Sequence, residues 1–144
     1  MQNRVPLPVY FGVEVHLVDG TGLHPLDQSI MDEFSFDYVV GALHGLYGCK
    51  SLPELADVCH CLHLRILKDR RFDVLGHPYK ILPREFHAAG LDAVTSMDFV
   101  PPSQIDELIS AACQYRKAIE VNANFFVSEK LSGPSSEAIR RIFF

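Results

Sequence analysis

Residues 36–44 read FDYVVGALH, and residues 72–78 read FDVLGHP. Both are short apolar runs rich in β-prone residues, and a histidine ends each of them, His44 and His77. An apolar run of this length suits a strand covered on both faces. Between them, Ser51, Pro53 and Glu54 make a helix start: a capping side chain, then proline, then an acid in the first turn. That helix should run to about Lys68 and bury Leu55, Val58, Cys59, Leu62 and Ile66. Upstream, Val9 to Val18 (VYFGVEVHLV) reads as a strand ending at Asp19-Gly20, and Leu26 to Phe34 as a short helix. Downstream, Pro101, Pro102 and Ser103 precede a helix to about Tyr115 that buries Ile105, Leu108, Ile109 and Ala112. Ala118 to Val121 reads as a further strand, and Leu91 to Val94 offers another short one. Ser132-Gly133-Pro134 opens a last helix running into Ile139, Ile142 and Phe143. Strands alternating with helices point to βαβ units and a parallel sheet. Crossovers in such sheets are almost all right-handed, so the strand ends gather on one side. The expected class is α/β, as one domain over residues 1–144.

Composition narrows the function classes. The chain is 48% hydrophobic and 22% charged, which suits a globular domain rather than a disordered one. A net charge of −5 leaves no broad basic surface for a phosphate backbone, so nucleic acid is not an expected partner. The one basic run, Arg65, Lys68, Arg70 and Arg71, falls where a helix should end and offsets the negative end of its dipole. Cys49, Cys59, Cys61 and Cys113 contain no CxxC pair and read as reduced thiols. The start, MQNRVPLPVYFG, has neither the charged nor the apolar region of a secretory signal, so a cytoplasmic protein is expected. No apolar run approaches the roughly 18 to 20 residues that span a bilayer, so no membrane partner is expected.

Polar residues interrupt the strands at particular places. Glu14 lies inside GVEVH, His44 and His77 end their runs, and Glu120 and Asn122 lie in AIEVNAN. Glu14, His44, His77 and Asn122 follow one another at steps of roughly 30 residues or more, the length of a βαβ unit. Acid, imidazole, imidazole and amide would then converge at the C-terminal ends of parallel strands, where α/β proteins place their sites. Carboxylate with imidazole is a ligand set for zinc, manganese or iron. Taken singly, a strand-end histidine is more often a hydrogen-bonded structural residue. The same placement recurring favours function, because charged groups are rarely buried unpaired. His16 lies two residues after Glu14 and points the same way in a strand, as an extra ligand, a phosphate contact or a rim residue. Lys50, Lys80 and Arg84 follow the histidine strands as candidate phosphate contacts or solvated loop charges. Cys59 and His63 have metal-compatible spacing on a helix, beside His60 and Cys61, but read better as a buried face with a satisfied histidine. His24 and His87 show no partner in the sequence.

GVEV, FDYVVGALH, FDVLGHP and AIEVNAN also stand in the order, and at about the spacing, of the later motifs of the PHP (polymerase and histidinol phosphatase) family. The chain resembles that family from about Val9 to Asn124. The resemblance implies part of a distorted (β/α)7 barrel that carries divalent metal ions at its C-terminal end. By position, Glu14 resembles a carboxylate that bridges metals, and His44 and His77 resemble imidazole ligands. From the residues themselves rather than the resemblance, His16, Lys50, Lys80 and Asn122 are the expected substrate contacts. The family's opening HxH and closing D-x-H motifs do not occur, so the chain resembles the middle and later part of the barrel. One expected metal position keeps its ligands, and a trinuclear cluster cannot be built from this chain alone.

Three readings follow. The first is a metal-dependent phosphate-ester hydrolase acting on a small phosphorylated substrate through metal-activated water. The second is a catalytically incomplete remnant or fragment that binds a metal or a partner chain. An open barrel exposes sheet edges that a homo-oligomer or another chain would cover, and the apolar Ile142-Phe143-Phe144 fits such an element. The third is a non-hydrolytic barrel enzyme, an isomerase or aldolase, which predicts no tightly held metal.

Overall fold

Asp37 and Asp73 stand at the entries of two successive strands and tie each to the strand before it. Asp37 Oδ2 accepts the Phe11 N–H at 2.7 Å, and Asp73 Oδ2 accepts the Val39 N–H at 2.9 Å. In return the Asp37 N–H donates to the Phe11 carbonyl at 2.7 Å, and the Asp73 N–H to the Val39 carbonyl at 2.8 Å. A charge-assisted bond to a backbone amide is stronger than a neutral one, so these paired contacts set register before the ladder begins. The computed structural model describes residues 8–18, 24, 26–81, 83–92 and 97–120.

The strands are β1 (Gly12–His16), β2 (Tyr38–Ala42), β3 (Val74–Leu75) and β4 (Ala118–Ile119). They form one parallel sheet in the order β1-β2-β3-β4. The helices are α1 (Gln28–Phe34), α2 (Leu52–Lys68), α3 (Pro83–Ala88) and α4 (Pro102–Tyr115). The α/β class and the parallel strands are therefore as the sequence predicts. The strands are shorter than their apolar runs, although single backbone bonds such as Leu17 N–H to the Ala42 carbonyl and Gly76 N–H to the Gly41 carbonyl extend the pairing by a residue. Helix α3 was not expected from the sequence, although Pro83 and Glu85 are start signals. Leu91 and Asp92 are not in a strand, and positions 93 and 94 lie outside the described residues. So do the Asp19-Gly20 turn, Val121, Asn122, the helix from Ser132 and the Ile142-Phe143-Phe144 tail.

Helix α2 begins as predicted. Ser51 Oγ accepts the Glu54 N–H at 3.4 Å, and Glu54 Oε2 accepts the Lys50 N–H at 2.8 Å, so cap and third residue satisfy two orphan donors. Arg65 and Lys68 fall in its last turn, and Arg71 turns back onto Asp69 at 2.6 Å. Its buried side is broader than the expected stripe, adding Ala56, His60, His63 and Leu67 while Val58 is only partly buried. Helix α4 buries Ile105, Leu108, Ala111 and Ala112 and packs on α2.

Glycine decides how closely α2 approaches the sheet. A Cβ on Gly41 would lie 2.7 Å from Ile66 Cγ2 and 2.9 Å from Phe72 Cδ1. That contact identifies the helix-covered face, carrying Val15, Gly41 and Leu75 in lateral register. On the opposite face Glu14, Val40, Val74 and Ala118 align, and of these Glu14 and Ala118 are exposed. The sheet thus has an apolar back under helices and a polar-edged front.

Candidate metal centre

The front of the sheet delivers its polar groups at one end. Glu14 and His16 sit two apart on β1, in register with Val40 and Ala42 of β2, so their side chains share the front face. His44 follows β2 by one residue past Leu43, His77 follows β3 after Gly76, and Glu120 follows β4 directly. Gly76 lets β3 leave close against β2: a Cβ there would lie 2.9 Å from Val40 Cγ1 and 3.2 Å from Ala42 Cβ. His77 then takes φ +23° and Tyr79 φ +60°, left-handed values that side-chain-bearing residues rarely adopt. Strain of this kind clusters at functional sites.

The five side chains form a chain of contacts. Glu14 Oε1 lies 3.6 Å from His44 Nε2 and 3.9 Å from His16 Nε2. His16 Nδ1 and His44 Nδ1 are 2.8 Å apart, and His44 Nε2 and His77 Nε2 are 2.7 Å apart. His77 Nδ1 lies 2.9 Å from Glu120 Oε2. An ionised carboxylate only accepts, so His77 carries its proton on Nδ1 and donates to Glu120. His77 Nε2 is then a lone pair, His44 donates to it from Nε2, and His16 donates from Nδ1 to His44 Nδ1. Burial pushes the His44 pKa below the ordinary imidazole value, and the neighbouring His16 and His77 push it the same way. His77 is 7% and His44 18% exposed at the side chain, against 56% for His16, so the two strand-end histidines form the floor and His16 the rim.

These residues fit a metal. Ligating atoms of Glu14, His16 and His44 lie within 4.8 Å of one another, and so do those of Glu14, His77 and Glu120. Ligands about 2.0–2.1 Å from a tetrahedral zinc stand about 3.3 Å apart. The Glu14–His44 separation is near that value, and the His44–His77 contact has to open by about half an ångström. Glu120 on the Nδ1–H of His77 is the carboxylate–histidine arrangement that fixes a ligand's tautomer and leaves Nε2 free to coordinate.

Of the predicted trio, Glu14 and His44 thus share one such group with His16, and Glu14 and His77 share the other with Glu120, while the His44 and His77 rings touch. Asn122 lies outside the described residues; among those described, the fourth strand contributes Glu120. Glu120 is legible in AIEVNAN, but nothing in the sequence pairs it with His77. An acid ending the Ala118-Ile119 run, like Glu14 within GVEVH, was the available signal. Among the expected cations, Arg84 lines a groove of about 540 Å³ together with His16, His44, Tyr47 and Glu85. Its Nε donates to Glu85 Oε1 at 3.2 Å. Lys80 is partly buried within electrostatic reach of His44. Lys50 lines an adjoining hollow of about 670 Å³ with Cys49 and Ala88, which none of the site histidines lines.

The other sequence candidates resolve separately. Cys59 and His63 are fully buried on α2, where burial lifts the Cys59 thiol to about 12. His24 lies 3.7 Å from Asp69 and packs edge-on against Phe72. No helix among the described residues is long and apolar enough to cross a membrane. Comparison with protein-family models, curated proteins and solved structures finds no match to this chain.

Proposed function

We propose that this chain is part of a metal-dependent phosphoesterase of PHP type, its four described strands an arc of a distorted (β/α)7 barrel. The observation that carries the reading is the meeting of Glu14, His44, His77 and Glu120 from four successive parallel strands at one end of the sheet. Strand order following chain order throughout is also what a barrel arc requires. Glu14, His44 and His77 would hold a divalent ion, zinc, manganese or iron. When bound, such an ion acidifies a water from a pKa of about 15.7 toward 7 and draws charge off phosphoryl oxygens.

The chain's own residues supply the rest. Glu120 keeps the His77 proton on Nδ1 and its ring in place. His16, exposed at the rim, is placed to touch the ester or to pass a proton to the leaving oxygen. Arg84 stands in the groove beside His16 and His44, where a guanidinium can grip a phosphate by two N–H groups. A groove of about 540 Å³ suits a small phosphorylated substrate. The direct test is hydrolysis of phosphate monoesters by purified protein supplied with manganese or zinc. Turnover should vanish in His77→Ala, and wild-type turnover no higher than that variant's would refute the reading.

A second reading, an incomplete barrel that binds a metal or a partner chain, has its own support. Val9, Tyr10 and Phe11 are 89%, 69% and 55% exposed along the approach to β1. Among the described residues β1 pairs only with β2. If a second copy covers that edge, gel filtration shows a concentration-dependent assembly that Phe11→Lys dissociates, and a monomer at every concentration removes self-association as the cover.

A further inference from the structure

The tight loop that presents His77 is gripped from behind by two histidines of α2. His60 and His63 lie three apart, on one side of the helix, and both reach Tyr79. The Tyr79 N–H donates to His63 Nε2 at 3.5 Å, and the two rings meet edge-on at 4.6 Å. The Tyr79 hydroxyl lies 2.9 Å from His60 Nδ1, and His60 Nε2 lies 3.0 Å from Glu107 Oε2 on α4. With Glu107 ionised, His60 donates to it from Nε2, so Nδ1 accepts the tyrosine O–H. Tyr79 is therefore held at its amide, its ring and its hydroxyl.

Packing alone does not account for these polar choices. His63 is 0% exposed, and its Nδ1 has no hydrogen-bond partner among the described residues. An unpaired buried donor is costly, and an aliphatic side chain would fill the space without it. What leucine cannot do is accept the amide of a residue held at φ +60°. Two left-handed residues in the segment Gly76 to Lys80 persist only where their surroundings over-determine them. His77 stands two residues before Tyr79, and the Lys80 N–H returns to the His77 carbonyl at 3.1 Å, so whatever fixes Tyr79 fixes the His77 backbone.

We infer that His60, His63 and Tyr79, braced by Glu107, are positioning residues that hold the His77 imidazole in the orientation where it meets Glu120 and offers Nε2 to a metal. This rests on the metal site proposed above, and its consequence can be read with and without metal. In the metal-free protein, long-range proton–nitrogen spectra of the His77 ring should show one tautomer, protonated on Nδ1. In Tyr79→Phe and His63→Leu the spectrum should become a mixture. Zinc affinity should fall about tenfold or more in His63→Leu, in line with the loss of other supports behind metal ligands. His63→Gln, whose amide oxygen can stand near the lost Nε2, should recover most of it. Tyr79→Phe keeps the ring and the amide, so it carries the test if His63→Leu does not fold. A folded Tyr79→Phe with the wild-type His77 spectrum overturns the inference, as does a changed spectrum with unchanged zinc affinity. Should the wild-type protein bind no zinc, the metal-site reading falls, and the ring spectrum alone then decides this one.

Discussion

At the scale of single residues, most of the chemistry here is imidazole chemistry, and burial sorts it. His63 is pushed down to about 3, first by burial and then by the neighbouring His60 and His77. An unfolded chain titrates the same ring near 6.5. Below that pH the unfolded state binds a proton that the folded state refuses. Stability is therefore complete above about pH 6.5 and is lost as pH falls toward 3. The loss from His63 should be on the order of 1 kcal/mol for each pH unit below about 6.5. The depressed pKa of His44 acts in the same direction, whereas the lowered carboxylates Asp27 and Asp69 matter only in more acid solution. Urea unfolding at pH 7.5 and pH 5 measures this, and His63→Leu should flatten the slope. Glu14, His44 and His77 were legible at this scale because each breaks an apolar run. The contact of Glu120 with His77 was not, since the level at which β4 ends depends on its partners.

At the scale of elements, two close approaches decide the geometry. Gly41 sits where α2 and the Phe72 ring press on β2. Gly41→Ala should cost about 1–3 kcal/mol in urea unfolding, because an added methyl must displace Ile66 and the ring together. Gly45→Ala, whose added Cβ would meet nothing nearer than 3.7 Å, should stay within about 0.5 kcal/mol. Equal effects at the two positions would show that helix–sheet contact is not what glycine serves here. Caps and helix faces were readable beforehand: Ser51, Pro53 and Glu54 start α2 as local chemistry dictates. The paired roles of Asp37 and Asp73 were not, since each acts on an amide of another strand, 26 and 34 residues away in sequence.

At the scale of the molecule, a metal held by several strand ends would act as a clasp on the sheet. Anything that binds the folded state alone raises stability by mass action, about 2.7 kcal/mol at a hundred times its Kd. For a chain of this size that is a rise of several degrees in Tm. Zinc or manganese should produce it, a chelator should reverse it, and His44→Ala should abolish it. A melting temperature indifferent to every divalent metal tested would remove the clasp.

Short-range physics, written in the sequence, determined the alternation of strand and helix, the parallel sheet, the helix caps, and Glu14, His44 and His77 as the residues to watch. Apolar periodicity, capping and the spacing of βαβ units depend on neighbours along the chain. Tertiary structure alone decided that His16 and Glu120 complete the cluster, that Arg84 rather than Lys50 borders it, and that His60 and His63 stand behind the His77 loop. Each of those depends on distances between residues far apart in the chain, which strand register and helix docking set and no local pattern encodes.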